Sequence, residues 1–344
     1  MNASRSLPFG KLEANGLVQC FAATHASRCV GLRRRALHSF LVTLLIFPAF
    51  SWADAAVIYP QLKQPYSAIF DQVIEGIEAE MGGAVAKFPL QDDTDLTRMP
   101  AVLERSRQAG ASRDKVAIFL GNQSLRAEEI VDAGGVPLIL GCVLEVKEYE
   151  MLEHPVLSLA PDPSVLFERL RALMPAAKRV VVVYNPEQNA WLIELAKAAA
   201  QRYGLQLDAF EARDLRSAVS FYRAFFLQAD QRSDALWLPQ DSTTVEERAV
   251  VPMVLGESWE KGVVVFSSNF SHVKRGALFS FYPDNQAMGQ SLGRLAKELL
   301  KSPRSVKNGM MPLRNLKGAV NLRAAQRASL ELPSNVVFAT TYAQ

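Results

Sequence analysis

Gly276-Ala277-Leu278-Phe279-Ser280-Phe281-Tyr282-Pro283-Asp284-Asn285 runs directly into Gln286-Ala287-Met288-Gly289-Gln290-Ser291-Leu292-Gly293. The apolar opening reads as a strand. Met288, Leu292, Leu295 and Leu299 then recur at helical spacing on one face, with Gly289 and Gly293 beside them. A strand end, an aromatic, an acid and a helix start fall within a few residues, and open α/β sheets place ligands at such junctions.

The same alternation extends back through the chain. Ala56–Tyr59 reads as a strand, followed by a helix with Phe70, Val73, Ile74, Ile77 and Met81 on one face and Gly82-Gly83 at its end. Ala84–Phe88, Val116–Leu120 and Val136–Leu140 read as strands, and Leu96–Ala109 (Asp95 as N-cap) and Ser124–Ala133 as helices. A second series begins near Val156, with a helix marked by Leu166, Leu170 and Leu173 and the strongest strand of the chain, Arg179–Tyr184. Leu192, Leu195, Ala196, Ala199 and Tyr203 form one helical face, and Leu205–Phe210, Ala235–Leu238 and Val263–Phe266 are further strands. Continuous apolar strands alternating with helices imply parallel sheets covered on both faces. Two βαβ series, with no low-complexity linker between them, point to two α/β lobes and a cleft.

The N-terminus reads as an export leader. Arg33-Arg34-Arg35 precedes an apolar run from Ala36 to Phe50, and Ser51-Trp52-Ala53 offers small residues at the −3 and −1 positions of a cleavage site before Asp54. The run is shorter than the ~20 residues of a membrane span. Of the 344 residues, 38 are basic and 35 acidic, for a net charge of +3. Removing the six basic residues and one acid of 1–53 moves the net charge to −2, so the basic balance belongs to the leader and gives no support to nucleic-acid binding. Cys20 and Cys29 leave with it; Cys142 reads as a small buried apolar residue. The mature chain is therefore expected in the periplasm, soluble and without a disulfide.

Enzymatic signatures are missing. The chain has no Gly-x-Ser-x-Gly elbow, Walker A loop or Gly-x-Gly-x-x-Gly fingerprint, and His154, His272 and one cysteine cannot build a His/Cys zinc site. Asp92-Asp93-Thr94-Asp95 lacks the following glycine and distal glutamate of a calcium loop. No catalytic residue, cofactor or metal is expected.

Three stretches resemble a known family. Leu170-Arg171-Ala172-Leu173-Met174-Pro175-Ala176-Ala177-Lys178-Arg179, continuing through Val180–Val183 to Tyr184-Asn185-Pro186, is similar to a block of the ABC transporter substrate-binding proteins of the tryptophan/tyrosine type. Gly276-Ala277-Leu278 through Asp284 to Met288, Gly289 and Gly293 resembles the family's late strand-to-helix junction, and Asn321–Ala325 with Leu332-Pro333 its closing segment. Order and spacing match over roughly residues 56–338. The resemblance implies the type 1 periplasmic binding protein fold, with two Rossmann-like lobes joined by three crossovers. It divides the chain into a leader (1–53), a first lobe (54–157 with about 283–310) and a second lobe (158–282 with about 311–340). The helix from Asn285 to Leu300 is expected to pack with the first lobe. A monomer that delivers a small ligand to a membrane permease is implied, and an aromatic amino acid is the family's suggestion for that ligand. Two departures stand out. Gln64 occupies the place of an acid in the family's Glu-His-Pro-type motif, and Gln240-Asp241-Ser242-Thr243 replaces an Asn-Thr pair.

Loops after strand ends should face the cleft: 60–66, 121–124, 141–143, 185–191 and 240–244, extended by 267–270 and 282–284. Gln61, Gln64, Asn122, Gln123 and Asn269 are polar candidates on them. Backbone N–H groups at Gly121–Ser124, opening a helix, suit a carboxylate, and Ser242 and Thr243 could do the same at a second helix start. An ammonium group would need Asp241 or Asp284, and an aromatic ligand would stack on Tyr66, Trp191, Phe270 or Tyr282. Each has a structural rival: Ser124, Ser242, Asp241 and Asp284 are natural caps, and Trp191 could equally pack in the core. A periplasmic sensor subunit fits the same sequence as the importer component does, and a secreted α/β enzyme fits less closely. The enzyme would need a nucleophile–base pair.

Overall fold

The computed structural model describes residues 54–83, 85–91, 116–122, 136–144, 153–302 and 306–343. The leader, Gln123, Ser124 and the helices expected at 96–109 and 124–133 lie outside them.

The chain opens with β1 (Ala55–Pro60), α1 (Ser67–Met81), β2 (Ala86–Leu90), β3 (Val116–Leu120), β4 (Leu138–Val143) and β5 (Pro155–Pro161). It continues through α2 (Pro163–Leu173), β6 (Arg179–Tyr184), α3 (Pro186–Arg202), β7 (Gln206–Glu211), α4 (Leu215–Gln228), β8 (Asp234–Leu238), α5 (Val250–Lys261), β9 (Val264–Ser267), α6 (Ser271–Arg275) and β10 (Phe279–Pro283). It closes with α7 (Asn285–Lys301), β11 (Gly309–Leu313), β12 (Leu316–Asn321), α8 (Leu322–Arg327) and β13 (Thr340–Tyr342).

Helix starts follow one recipe. Asp162, Asn185, Asp214, Asp284 and Asn321 each end an extended segment and accept a backbone N–H of the next turn, and Pro163 and Pro186 supply a pre-set φ at the first helical position. Helices α1 and α5 stop at Gly82 and Gly262, whose left-handed φ of 79° and 68° suits glycine.

Among the described residues the strands form two sheets, ordered β11-β5-β4-β3-β1-β2 and β13-β12-β10-β9-β8-β6-β7. Every pairing is parallel except β10 with β12. One face of the first sheet packs on α1 and α7 through Val73, Ile77, Met288 and Leu292. The second sheet is covered on one side by α2 and α3 and on the other by α4 and α5. The architecture is thus two mostly parallel α/β layers of the type 1 periplasmic binding protein class, with α7 and β11 returning late in the chain to the first sheet.

Three details differ from the sequence reading. Strand β4 runs to Val143 with every residue buried, so Gly141–Val143 is strand and the loop begins at Leu144. A register shift between Gly141 and Val143 marks a bulge, at which Cys142 takes a φ of 59°, a conformation uncommon outside glycine. Burial pushes the Cys142 thiol up to about 12. β5 stays in the first sheet as far as Pro161, beyond the expected division at 157, because β11 pairs along it. The short helix α6, which ends on Lys274-Arg275, has no counterpart in the sequence reading.

The chain crosses between the sheets at 161–163, 283–285 and 313–316, and the crossings are bonded to one another. Asp162 N donates to Leu313 O (2.9 Å) and Asp284 N to Asn315 O (3.0 Å). Arg314 Nε donates to Asp162 Oδ2 (2.6 Å), and Lys317 Nζ lies 3.0 Å from Asp284 Oδ2.

Candidate ligand site between the sheets

Each sheet starts in its interior and builds outward in both directions. In the first, β1 is flanked by β2 and β3; in the second, β6 is flanked by β7 and β8. The carboxyl ends of β1/β3 and β6/β8 are therefore topological switch points, where loops diverge and leave a crevice.

At the second switch point the loops after β6 and β8 are laced together. Asp241 is buried, and its carboxylate accepts from Asn185 N (2.6 Å), Asn189 Nδ2 (3.0 Å), Thr243 N (3.0 Å) and Thr244 N (2.8 Å). Gln188 Nε2 reaches Ser242 Oγ (3.3 Å) and Thr243 Oγ1 (3.2 Å), and Gln188 Oε1 accepts Ser242 N (3.2 Å). Residues 242–248 form turns, and α5 starts only at Val250. Ser242 and Thr243 therefore do not open a helix as expected, because Asp241 has turned the chain back on itself. At the first switch point Gly121 has φ 89°, and Asn122 Oδ1 accepts Leu144 N (3.1 Å). Gln61 N donates to Leu90 O (2.7 Å), while the side chains of Gln61, Gln64 and Tyr66 are exposed.

A pocket of about 190 Å³ opens beside the loop after β8, lined by Gln240, Asp241 and Ser242, by Glu247, Asn269 and His272, and by Leu144 after β4 as its one residue from the first sheet. Of the sequence candidates it gathers Asp241, Ser242 and Asn269. Trp191 packs against the core and donates its indole N–H to Gln188 O (3.2 Å). Phe270 and Tyr282 stack edge-on (4.7 Å between centroids), and the Tyr282 hydroxyl lies 3.1 Å from Thr340 Oγ1. Asp284 caps α7 through Ala287 N (3.3 Å) and pairs with Lys317. Burial alone would raise the Asp284 carboxyl, but the Lys317 and Ala287 bonds outweigh it and hold it below its ordinary range.

Gln240, Glu247 and His272 were not among the residues picked from sequence. His272 is 1% exposed; its Nδ1 lies 2.8 Å from Ser267 Oγ and its Nε2 2.9 Å from Glu247 Oε1. Glu247 also binds Arg275 and takes Asn269 Nδ2 (3.1 Å). Burial lowers the His272 imidazole more than Glu247 raises it, and the net direction is down. Glu247 itself is held low: burial pushes it up, but His272 and Arg275 more than compensate. A serine, a histidine and a glutamate in line invite comparison with a hydrolytic triad. Ser267 does not fit the nucleophile's role: it is fully buried, and its Oγ already accepts Asn269 N (2.9 Å) and reaches Leu238 O (3.3 Å). Glu247 and His272 stand 25 residues apart and carry no local motif. Among the described residues no group of three His, Cys, Asp or Glu side chains could hold a metal ion.

This fold and cleft are those of a two-lobed solute-binding protein. Residues 166–343, more than half of the chain, match the family described as ABC transporter substrate binding protein, and the chain belongs to that family. The ligand-free, open structure of CD0873 from Clostridium difficile, a substrate binding protein with adhesive properties, superposes with a TM-score of 0.57 at 17% identity, over 85% of this chain and 100% of that one. An ABC domain in complex with L-Trp from Streptococcus pneumoniae gives 0.48 at 17% identity, over 84% of this chain and 99% of that one. A conserved domain protein from Vibrio cholerae gives 0.48 at 18% identity with the same coverage. At 17% identity the likeness to CD0873 speaks to the fold alone. No curated protein matches the sequence.

Proposed function

We propose that this chain is the solute-binding component of an ABC importer, exported by a cleaved leader, which captures a small polar solute between its lobes and presents the closed form to a membrane permease. The observation that carries this reading is the pocket shared by Leu144 from the first sheet and Gln240–Ser242 and Asn269 from the second. A ligand there touches both lobes at once, so its binding favours their approach. The chemistry asked of the chain is recognition: no bond is made or broken. Membership of the family supports import, and among the described residues no helix is long and apolar enough to cross a membrane. Amino acids, aromatic ones first, are the class suggested by the sequence motifs. Gln61, Gln64, Tyr66 and Asn122 form the first-lobe side of this proposed site. Ser242, Thr243, Asn269 and Phe270 form the second-lobe side.

Thermal unfolding against a panel of amino acids, nucleosides and sugars tests it. A ligand that binds only the native state raises the midpoint, by about 2.7 kcal/mol of added stability at a hundredfold excess over Kd. A rise with one class identifies the solute; no rise with any class sinks the importer reading.

A further inference from the structure

One side chain that lines the pocket holds a buried polar atom without a partner. Gln240 lies at the carboxyl end of β8, half-buried, and its Oε1 is sealed from solvent without accepting a hydrogen bond from any described group. The groups around it are already engaged. Both oxygens of Asp241 are occupied, and Asn189 Nδ2 is bonded to the Gln240 backbone carbonyl (2.9 Å) and to Asp241. The Asn269 side chain bridges Glu247 and Ser271, and both nitrogens of His272 are taken. No described group donates to this oxygen as it stands, and a buried acceptor left unpaired is costly and rare.

We propose that Gln240 is the side chain through which the second lobe reads its ligand, its carboxamide turning from the sealed position so that Oε1 accepts an N–H or O–H of the bound solute. This rests on the solute-binding reading and narrows it. The solutes selected carry an amide, ammonium or hydroxyl hydrogen at that point, and analogues with only an acceptor there are rejected, because they would leave the oxygen unpaired in a closed cleft.

The full chain is titrated with L-tryptophan, L-tyrosine, L-phenylalanine, L-glutamine, adenosine and D-ribose, and the probe giving the largest midpoint shift is carried to calorimetry on two variants. Gln240→Leu is expected to raise Kd about tenfold or more while leaving the ligand-free midpoint unchanged or higher, since it deletes an unpaired group. Gln240→Glu keeps the acceptor and is expected to bind within about threefold of the native chain. Three results overturn the assignment alone: Gln240→Leu binds like the native chain; Gln240→Leu lowers the ligand-free midpoint, making the amide structural; or Gln240→Glu loses binding as Gln240→Leu does, making the amide a donor. If no probe shifts the native chain, the solute-binding reading fails first and takes the assignment with it.

Discussion

Asp241 shows how one residue decides which loops can meet. Its carboxylate gathers two donors from the β6 side of the crevice and two from its own turn, all within 3.0 Å. This makes it the brace of the site, with little capacity left for a ligand ammonium group. Asp241→Ala is expected to cost ~3 kcal/mol or more in urea unfolding without ligand, since it strands buried backbone donors. An unchanged urea midpoint would return Asp241 to the ligand. His272 gives a pH signature. Its folded value lies below its ordinary 6.5, so below that pH the unfolded chain takes a proton that the folded chain resists. Stability is then full above about 6.5 and falls as the pH drops below it. The Glu247 contribution, present above its ordinary 4.5, is lost only at lower pH. His272→Gln should flatten the fall in midpoint between pH 7 and 5; a slope as steep as the native one would mean another group titrates there. The sequence could show that Asp241 ends a strand. It could not show that Asn185 and Asn189, more than fifty residues away, aim donors at it.

At the scale of elements, the sequence was most informative where periodicity is strong. The Arg179–Tyr184 strand has the bounds expected, and Gly289 and Gly293 sit on the packed face of α7. The end of α1 at Gly82 was legible because glycine acts locally, whereas α3 starts at Pro186, inside the loop expected at 185–191, because Asn185 caps it and Pro186 pre-sets its first turn. Strand β4 was missed by a few residues because Gly141 and Cys142 read as a loop, while its burial comes from β3, β5 and Leu292. Helices α1 and α7 meet backbone to backbone: a Cβ on Gly289 would stand 2.0 Å from Val73 O, and one on Gly76 2.1 Å from Gln286 O. Gly289→Ala is therefore expected to destabilise by about 2 kcal/mol or more, read by calorimetry. Gly256→Ala, on α5 with nothing within 4 Å of the new methyl, is expected to stabilise by about 0.5–1 kcal/mol. Equal effects at the two positions would refute the close-packed seam.

For the whole molecule, what matters is how two sheets share three crossings. The ion pairs there are partly solvated: the Arg314 side chain is 77% exposed, so Arg314→Ala should change unfolding stability by no more than about 1 kcal/mol. Closure on a ligand held between the lobes should lower the radius of gyration in solution scattering. An identical scattering profile at saturating ligand would argue against a hinge. The seam between α1 and α7 has a consequence of a different kind. Val73 and Ile77 are covered by a helix that begins more than two hundred residues later, and β11 completes the first sheet later still. The first sheet therefore cannot be completed until residues 285–313, about nine-tenths of the way along the polypeptide, are available. A chain built this way stays open and threadable through most of its own synthesis, as a polypeptide must if it is to pass through a membrane before it folds.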